Sequence, residues 1–215
     1  MRAAAPADVP SDLLISYLDL RKAVGWIGIA LPIVVSIGGA VIDRTILQPT
    51  ISDYYYTVMR DWFVGSLCAI GVFMMSYRGY DWRDRAAGKF AFVFAIAAAL
   101  FPTAGKEATP LGDAIGTVHA ISATGLFSTL AVFCRLFRKS NQPRPTKQKL
   151  QRNLIYAVCG ATILVCIVLI GVYKIFLNRT WVGLKPVFWL ETVAVLAFGA
   201  SWLVKGETIL KDKPG

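Results

Sequence analysis

Long stretches without charged residues are the feature that most limits the folds open to this chain. The segment 186–204, PVFWLETVAVLAFGASWLV, holds a single charged residue, Glu191. A run of about 18 or more residues with few charges has the length and composition of a helix that crosses a bilayer. Hydrophobic residues make up 56% of the 215 residues and charged residues only 17%, against roughly a quarter in soluble domains. The sequence therefore predicts an integral membrane protein.

Six apolar runs divide the chain into the spans of one membrane domain. They cover about 23–42, 62–77, 88–104, 114–134, 154–173 and 186–204. The first is about 20 residues long, whereas the core of a signal peptide has about 7 to 15, so we predict a retained helix. We expect an all-α, six-helix bundle over 23–204. An amphipathic segment (1–22) precedes it at the cytoplasmic interface, and a cytoplasmic tail (205–215) follows it.

The distribution of Lys and Arg predicts the direction of the spans. Of the 23 basic residues, seventeen fall in the alternate segments that include both termini, and six fall in the remaining loops. Because cytoplasmic segments of membrane proteins carry the excess of Lys and Arg, we expect both termini in the cytoplasm. The net charge of +10 is thereby explained as a membrane signature, so the lipid bilayer and not nucleic acid is the expected partner.

Unusual polar residues collect near the non-cytoplasmic ends of the predicted spans. Glu191 lies five residues into the last span, and His119, the only histidine, six residues into the fourth, at depths of roughly 7 to 9 Å. Asp61 stands at the mouth of the second span. The loop before it, TISDYYYTVMRD, supplies three further candidates: Asp53, Tyr55 and Arg60.

An imidazole near a carboxylate is the usual composition of a proton-handling pair. We therefore predict an outward-facing polar pocket that binds or passes a small cation, a proton or a lipid headgroup. Each residue also has a plainer explanation. Glu191 and His119 can serve as hydrogen-bond partners between helices, the tyrosines as an aromatic belt, and Asp61 as a partner of Arg60.

Two other functions stay open. Small residues at four-residue spacing, Ala91, Ala95 and Ala99 among them, allow close helix packing, which suits an accessory subunit bound to another membrane protein. An intramembrane lipid hydrolase is the third alternative. The four cysteines have neither metal-ligand spacing nor a disulfide-framework pattern, so we expect no metal and no cofactor, and no residue is assigned a catalytic role.

Four strings carry a resemblance over nearly the whole chain: ISDYYYTVMRDWFVGSLCAIGVFMMSYRGYDWRD, ALFPT, VHAISA and VFWLETVAVLAFGASWLVKGE. They resemble a bacterial family of short six-span membrane proteins, which implies a multi-pass protein of the bacterial inner membrane. No activity is established for that family, so the resemblance implies none. Ser52, Asp61 and His119 are also faintly similar to part of the alkaline-ceramidase site, where three histidines hold a zinc ion beside a serine and an aspartate. One histidine cannot supply three.

Overall fold

Six α-helices make up nearly all of the computed structural model, which describes residues 11–44, 47–79, 81–105, 109–139, 146–177, 180–208 and 210. No strand occurs among these residues, so the all-α prediction is confirmed. The helices are α1 (Ser11–Ile42), α2 (Arg60–Met75), α3 (Trp82–Leu100), α4 (Pro110–Leu136), α5 (Lys147–Val172) and α6 (Pro186–Lys205). Short 3₁₀ turns occur at Ser52–Tyr56 and Val182–Leu184, and a π-helical turn, Tyr173–Leu177, extends α5.

Four of these helical segments are long and apolar enough to cross a membrane: Tyr17–Ile42, Pro110–Leu136, Lys147–Leu177 and Val182–Lys205. This is compatible with a multi-pass membrane protein. With 16 residues, α2 is roughly 24 Å long, shorter than the roughly 30 Å of hydrocarbon in a bilayer. The first turns of α3 carry charged residues: Arg83, Asp84, Arg85 and Lys89. The six predicted spans thus correspond to six helices, of which four are span-like by length and composition.

The amphipathic segment predicted before the first span is not separated from it by a break. α1 runs continuously from Ser11 through the internal Pro32 to Ile42, a length of 32 residues or roughly 48 Å. That length exceeds the hydrocarbon thickness by several turns. Residues 1–10 and the side chains of residues 11–16, including Leu13 and Leu14 of the predicted apolar face, lie outside the described part of the chain.

The helices form a closed ring in chain order. Each helix packs against the next, α6 returns to pack against α1, and α4 also contacts α6. We call the end that holds the α1–α2, α3–α4 and α5–α6 connections the loop end, and the opposite end the terminal end. At the loop end the α1–α2 connection binds the start of α6, where the Phe188 N–H donates to the Pro49 carbonyl (3.0 Å), and the α3–α4 connection, where the Tyr56 hydroxyl donates to the Thr103 carbonyl (2.5 Å).

Glycine residues make a close crossing of α1 and α6 possible. A Cβ atom on Gly199 would lie 2.8 Å from the carbonyl oxygen of Gly25 and 2.7 Å from Cγ1 of Ile29. Real Cβ atoms do not approach so closely, so the two backbones meet here because both residues lack a side chain. The alanine stripe predicted on α3 is buried as expected: Ala91, Ala95 and Ala99 have no exposed surface.

Charged groups hold the terminal end together. Asp81 caps α3 by accepting from the backbone N–H groups of Arg83 (2.9 Å) and Asp84 (3.3 Å). Lys139 donates to Asp81 (2.8 Å) and lies 3.6 Å from Asp84. The hydrogen bond from Lys139 is the main reason that the pKa of Asp81 falls to about 2.

Aromatic side chains fill the terminal half of the ring. Trp202 lies edge-on to Tyr77 and Phe137 at centroid separations of 5.3 and 5.2 Å, and Phe133 and Tyr156 complete the cluster. All five side chains are at most 3% exposed. The cavities described next lie in the other half, toward the loop end. The filled half therefore fixes the helix positions while the loop half leaves space.

Candidate polar cavity

A cavity of about 220 Å³ lies at the loop end between α4, α5 and α6. One water molecule occupies roughly 30 Å³ in the liquid, so the cavity can hold a small organic group and not only a single ion. Its floor and walls are apolar, but seven side chains with polar atoms also line it: Thr50, Ser52, Thr103, His119, Thr124, Lys174 and Glu191. The structure therefore brings His119 and Glu191, from two different helices, to one cavity.

Glu191 connects α6 to the loop that follows α1. Its Oε2 accepts a hydrogen bond of 2.7 Å from the backbone N–H of Ile51. The bond from the Phe188 N–H to the Pro49 carbonyl, one helical turn away, holds the same loop against the start of α6. Glu191 thus has the plainer role that the sequence left open, as a partner between elements, and its carboxylate lines the cavity as well.

His119 is anchored to the end of α3. Its Nδ1 lies 2.7 Å from the carbonyl oxygen of Phe101 and 3.1 Å from that of Ala98, and the side chain is 5% exposed. Both partners only accept hydrogen bonds, so Nδ1 carries the proton and donates. The last carbonyl groups of a helix have no partner within it, and His119 satisfies two carbonyls at this end. In the neutral ring, Nε2 is then left with a lone pair that can accept a proton or a hydrogen bond.

Asp53 lies behind the rim of the cavity and joins two loops. Its Oδ1 accepts from the Thr103 hydroxyl (2.8 Å), and its backbone N–H donates to the Thr50 hydroxyl (3.0 Å). Both threonines line the cavity, whereas Asp53 itself does not. Asp53, one of the six site residues predicted from the sequence, therefore lies outside the cavity and holds two of its lining residues in place. Its half-buried carboxylate also adds negative charge near His119 and Glu191.

The structure does not bring the other three predicted residues into this cavity. The guanidinium of Arg60 lies 4.3 Å from the centre of the Tyr55 ring and donates to the Tyr55 hydroxyl (2.6 Å), so these residues pair with each other. Asp61 is exposed and lines a separate, open groove of about 420 Å³ between α1 and α2, beside Trp62 and Gly65.

Lys174 is the main cavity residue that sequence reasoning did not identify. In the sequence, Lys174 is only one of the basic residues that follow the fifth apolar run. The π-helical turn Tyr173–Leu177, which adds an irregular turn to α5, carries the Lys174 side chain to the cavity. Such turns occur often at functional sites. The cavity thus contains a cation and a carboxylate, with the only histidine also in its wall.

A second, apolar cavity of about 60 Å³ adjoins the first at the centre of the ring. The two share Ser52, Ala123, Phe127 and Glu191 as lining residues, so Glu191 lies at the boundary between them. Side chains such as Leu31 and Phe198 form the remaining wall of the apolar cavity.

No protein-family model, no curated protein and no solved structure matches the chain. The resemblance given by the sequence strings therefore stays a prediction. Within the described residues, no three His, Cys, Asp or Glu side chains gather closely enough to hold a metal ion. The zinc arrangement of the alkaline ceramidases is thus not formed by this part of the chain.

Proposed function

We propose that all six helices cross the bacterial inner membrane with both termini in the cytoplasm, so that the loop end faces outward. The closed ring supports this, because α2 and α3 pack within the same layer as the four span-like helices. Large apolar side chains also point away from the ring on every helix. One example from each is Ile37, Val72, Phe90, Ile121, Val168 and Trp189, all 44% exposed or more.

A labelling experiment tests this orientation. In a cysteine-free background, Val58→Cys at the loop end should react with a membrane-impermeant maleimide in intact cells, since Val58 is 53% exposed. Arg83→Cys at the terminal end should react only after lysis. The reverse pattern would overturn the proposed direction.

We propose that the polar cavity binds the positively charged part of a small ligand: a cation, a proton or the amine of a lipid headgroup. The single observation that carries this proposal is that Glu191 and His119 line one cavity of about 220 Å³. A carboxylate, the lone pair of Nε2 and the hydroxyls of Thr50 and Ser52 are all hydrogen-bond acceptors. An ammonium group offers three donors and a charge that complements Glu191.

Ligand-induced stabilisation tests this function. The unfolding temperature of the purified protein is measured with Na⁺, K⁺ and ethanolamine over a range of pH, for the wild type and for Glu191→Gln and His119→Asn. We expect at least one probe to stabilise the wild type and to lose its effect in Glu191→Gln. Asp61→Asn is the matched control, because Asp61 is a carboxylate at the same end that does not line the cavity. If Glu191→Gln responds like the wild type to every probe, the proposal fails.

An accessory subunit is the second candidate, and the groove between α1 and α2 favours it. A Cβ on Gly65 would meet no atom within 4 Å, and Trp62 is 59% exposed in the same groove. A helix of another membrane protein could pack there. Co-purification of one partner in mild detergent, lost on Gly65→Trp, would support this function, while a lone species in both cases would count against it.

A further inference from the structure

The cavity continues toward the terminal end as a slot between α4 and α5. Below His119, its lining residues on α4 are Ala120, Ala123, Thr124 and Phe127, and on α5 with its π-helical turn they are Ile167, Ile170, Gly171 and Lys174. Both sets follow the spacing i, i+3, i+4, i+7, which is one continuous face of a helix. We call this feature the α4–α5 slot. The two faces oppose each other and would form a helix–helix contact if they were closely packed.

The slot is open near the loop end. Ala120 and Thr124 are exposed although they lie on the facing stripe, and a Cβ on Gly171 would meet no atom within 4 Å. Nearer the terminal end the same two helices are in tight contact, where a Cβ on Gly160 would lie 3.0 Å from Cβ of Cys134 and Ile163 has no exposed surface. The helices therefore diverge toward the loop end.

The slot opens on the apolar perimeter of the ring. The residues next to it on the outer faces of α4 and α5, Ile121 and Val168, are 64% and 63% exposed. In the proposed membrane orientation these side chains face lipid tails. A molecule that enters through the slot thus comes from the bilayer and can keep an alkyl chain in an apolar environment throughout.

The polar end of the slot has groups for both charges of a zwitterion. Glu191 and Lys174 line the same cavity, and no ion pair within 4 Å joins them in the described part of the chain. A carboxylate suits an ammonium group and a lysine suits a phosphate. A simple cation would use only one of these residues and would leave the apolar lower part of the cavity, at Phe127 and Ile167, without an occupant.

We infer that the ligand of this site is a single-chain zwitterionic lipid. Its ammonium group lies against Glu191, its phosphate near Lys174, and its alkyl chain passes out through the α4–α5 slot. The inference rests on the proposed function of the polar cavity and adds to it the class of ligand and the route by which it arrives.

The test uses two probes with the same head: lysophosphatidylethanolamine and free phosphoethanolamine. The full-length protein is placed in nanodiscs of phosphatidylglycerol, which has no ammonium group, and binding is measured by the shift in unfolding temperature as each probe is titrated. Thr124→Trp fills the slot from α4, and Gly171→Trp fills it from α5, both into open space. Ile121→Trp places the same side chain on the lipid-facing side of α4 and is the matched control.

We expect the lysolipid to stabilise the wild type and Ile121→Trp, and to bind at least tenfold more weakly to Thr124→Trp and Gly171→Trp. Free phosphoethanolamine should bind the wild type more weakly than the lysolipid does. Glu191→Gln should lose the response to both probes.

The outcomes separate this inference from the function on which it rests. If the lysolipid binds in a Glu191-dependent way but equally well to both slot variants, the route and the chain position are wrong and the cavity function stands. If only free phosphoethanolamine binds, the ligand is a soluble zwitterion and the lipid inference is overturned. If Glu191→Gln changes neither the response to these two probes nor the response to the cation panel, the proposed function itself fails.

Discussion

Replacing Glu191 separates its structural role from its role in the cavity. The backbone N–H of Ile51 donates to Oε2 at 2.7 Å, and Ile51 is 3% exposed, so Glu191→Ala leaves a buried donor without its protein acceptor. Leaving a buried donor without a partner costs about 1–3 kcal/mol. We therefore expect Glu191→Ala to lower the free energy of unfolding by about 2 kcal/mol. Glu191→Gln keeps an amide oxygen at the same position and should lose about 1 kcal/mol or less.

Thermal and denaturant unfolding in one detergent measure this difference without any ligand. For a chain of 150–250 residues, 1 kcal/mol corresponds to roughly 2–4 °C in the midpoint, so a loss of about 2 kcal/mol predicts a drop of roughly 4–8 °C for Glu191→Ala. Asp61→Ala, at an exposed position outside the cavity, should stay within about 0.5 kcal/mol of the wild type. Hydrogen exchange should also increase first in the 47–59 loop, where the freed amide lies.

Two results would refute the reasoning. If Glu191→Ala is as stable as the wild type, the bond to Ile51 does not hold the loop. If Glu191→Gln is destabilised as much as Glu191→Ala, the negative charge and not the acceptor position matters, and any loss of ligand binding in Glu191→Gln would have a structural explanation.

Two further predictions concern packing and charge. Gly199→Ala should lower the free energy of unfolding by about 1–3 kcal/mol, because its Cβ would lie 2.8 Å from the Gly25 oxygen. Gly65→Ala enters open space and should raise the free energy of unfolding by at most about 1 kcal/mol. Equal denaturation midpoints for the two variants would contradict this. The pKa of Asp81 is lowered to about 2 chiefly by Lys139, so the stability that this ion pair contributes is present above about pH 4 and is lost as pH falls toward 2. Lys139→Met should reduce the pH dependence of the free energy of unfolding over that range. An unchanged pH profile would contradict the pairing.

The helices were predictable because apolar runs determine them, but their starts depend on caps that hydropathy ignores. α3 begins at Trp82 and not near 88, because Asp81 and Asp84 form a capping box. α5 begins at Lys147 and not near 154, because the Thr146 hydroxyl accepts from the backbone N–H of Lys149 (3.1 Å). Both capping signals are present in the sequence. However, the first turns of these helices carry charged residues, so hydropathy assigns them to loops.

The face of a helix on which a predicted residue lies decides whether that residue lines the polar cavity. Asp61, Gly65 and Ala69 recur every four residues and line the groove between α1 and α2. Phe63 and Leu67, two residues out of phase with them, are buried. Depth along a span was therefore not enough to place Asp61 in the cavity, and the face of the helix was needed as well. Lys174 and Thr103 depend on how the chain turns after a helix ends, which periodicity does not describe.

His119 and Glu191 share a pattern that strengthens the case for one binding site. Each uses one polar atom, Nδ1 or Oε2, to bind backbone groups of another element, and each also lines the same cavity. A side chain fixed in this way loses little freedom when a ligand arrives, so the entropy cost of ordering it has already been met by folding. If both residues served only to join helices, a closely packed interior would suffice, as it does at the terminal end. The structure instead leaves a cavity of about 220 Å³ that both residues line, and a mostly apolar cavity with a few fixed polar groups is the arrangement typical of a ligand site.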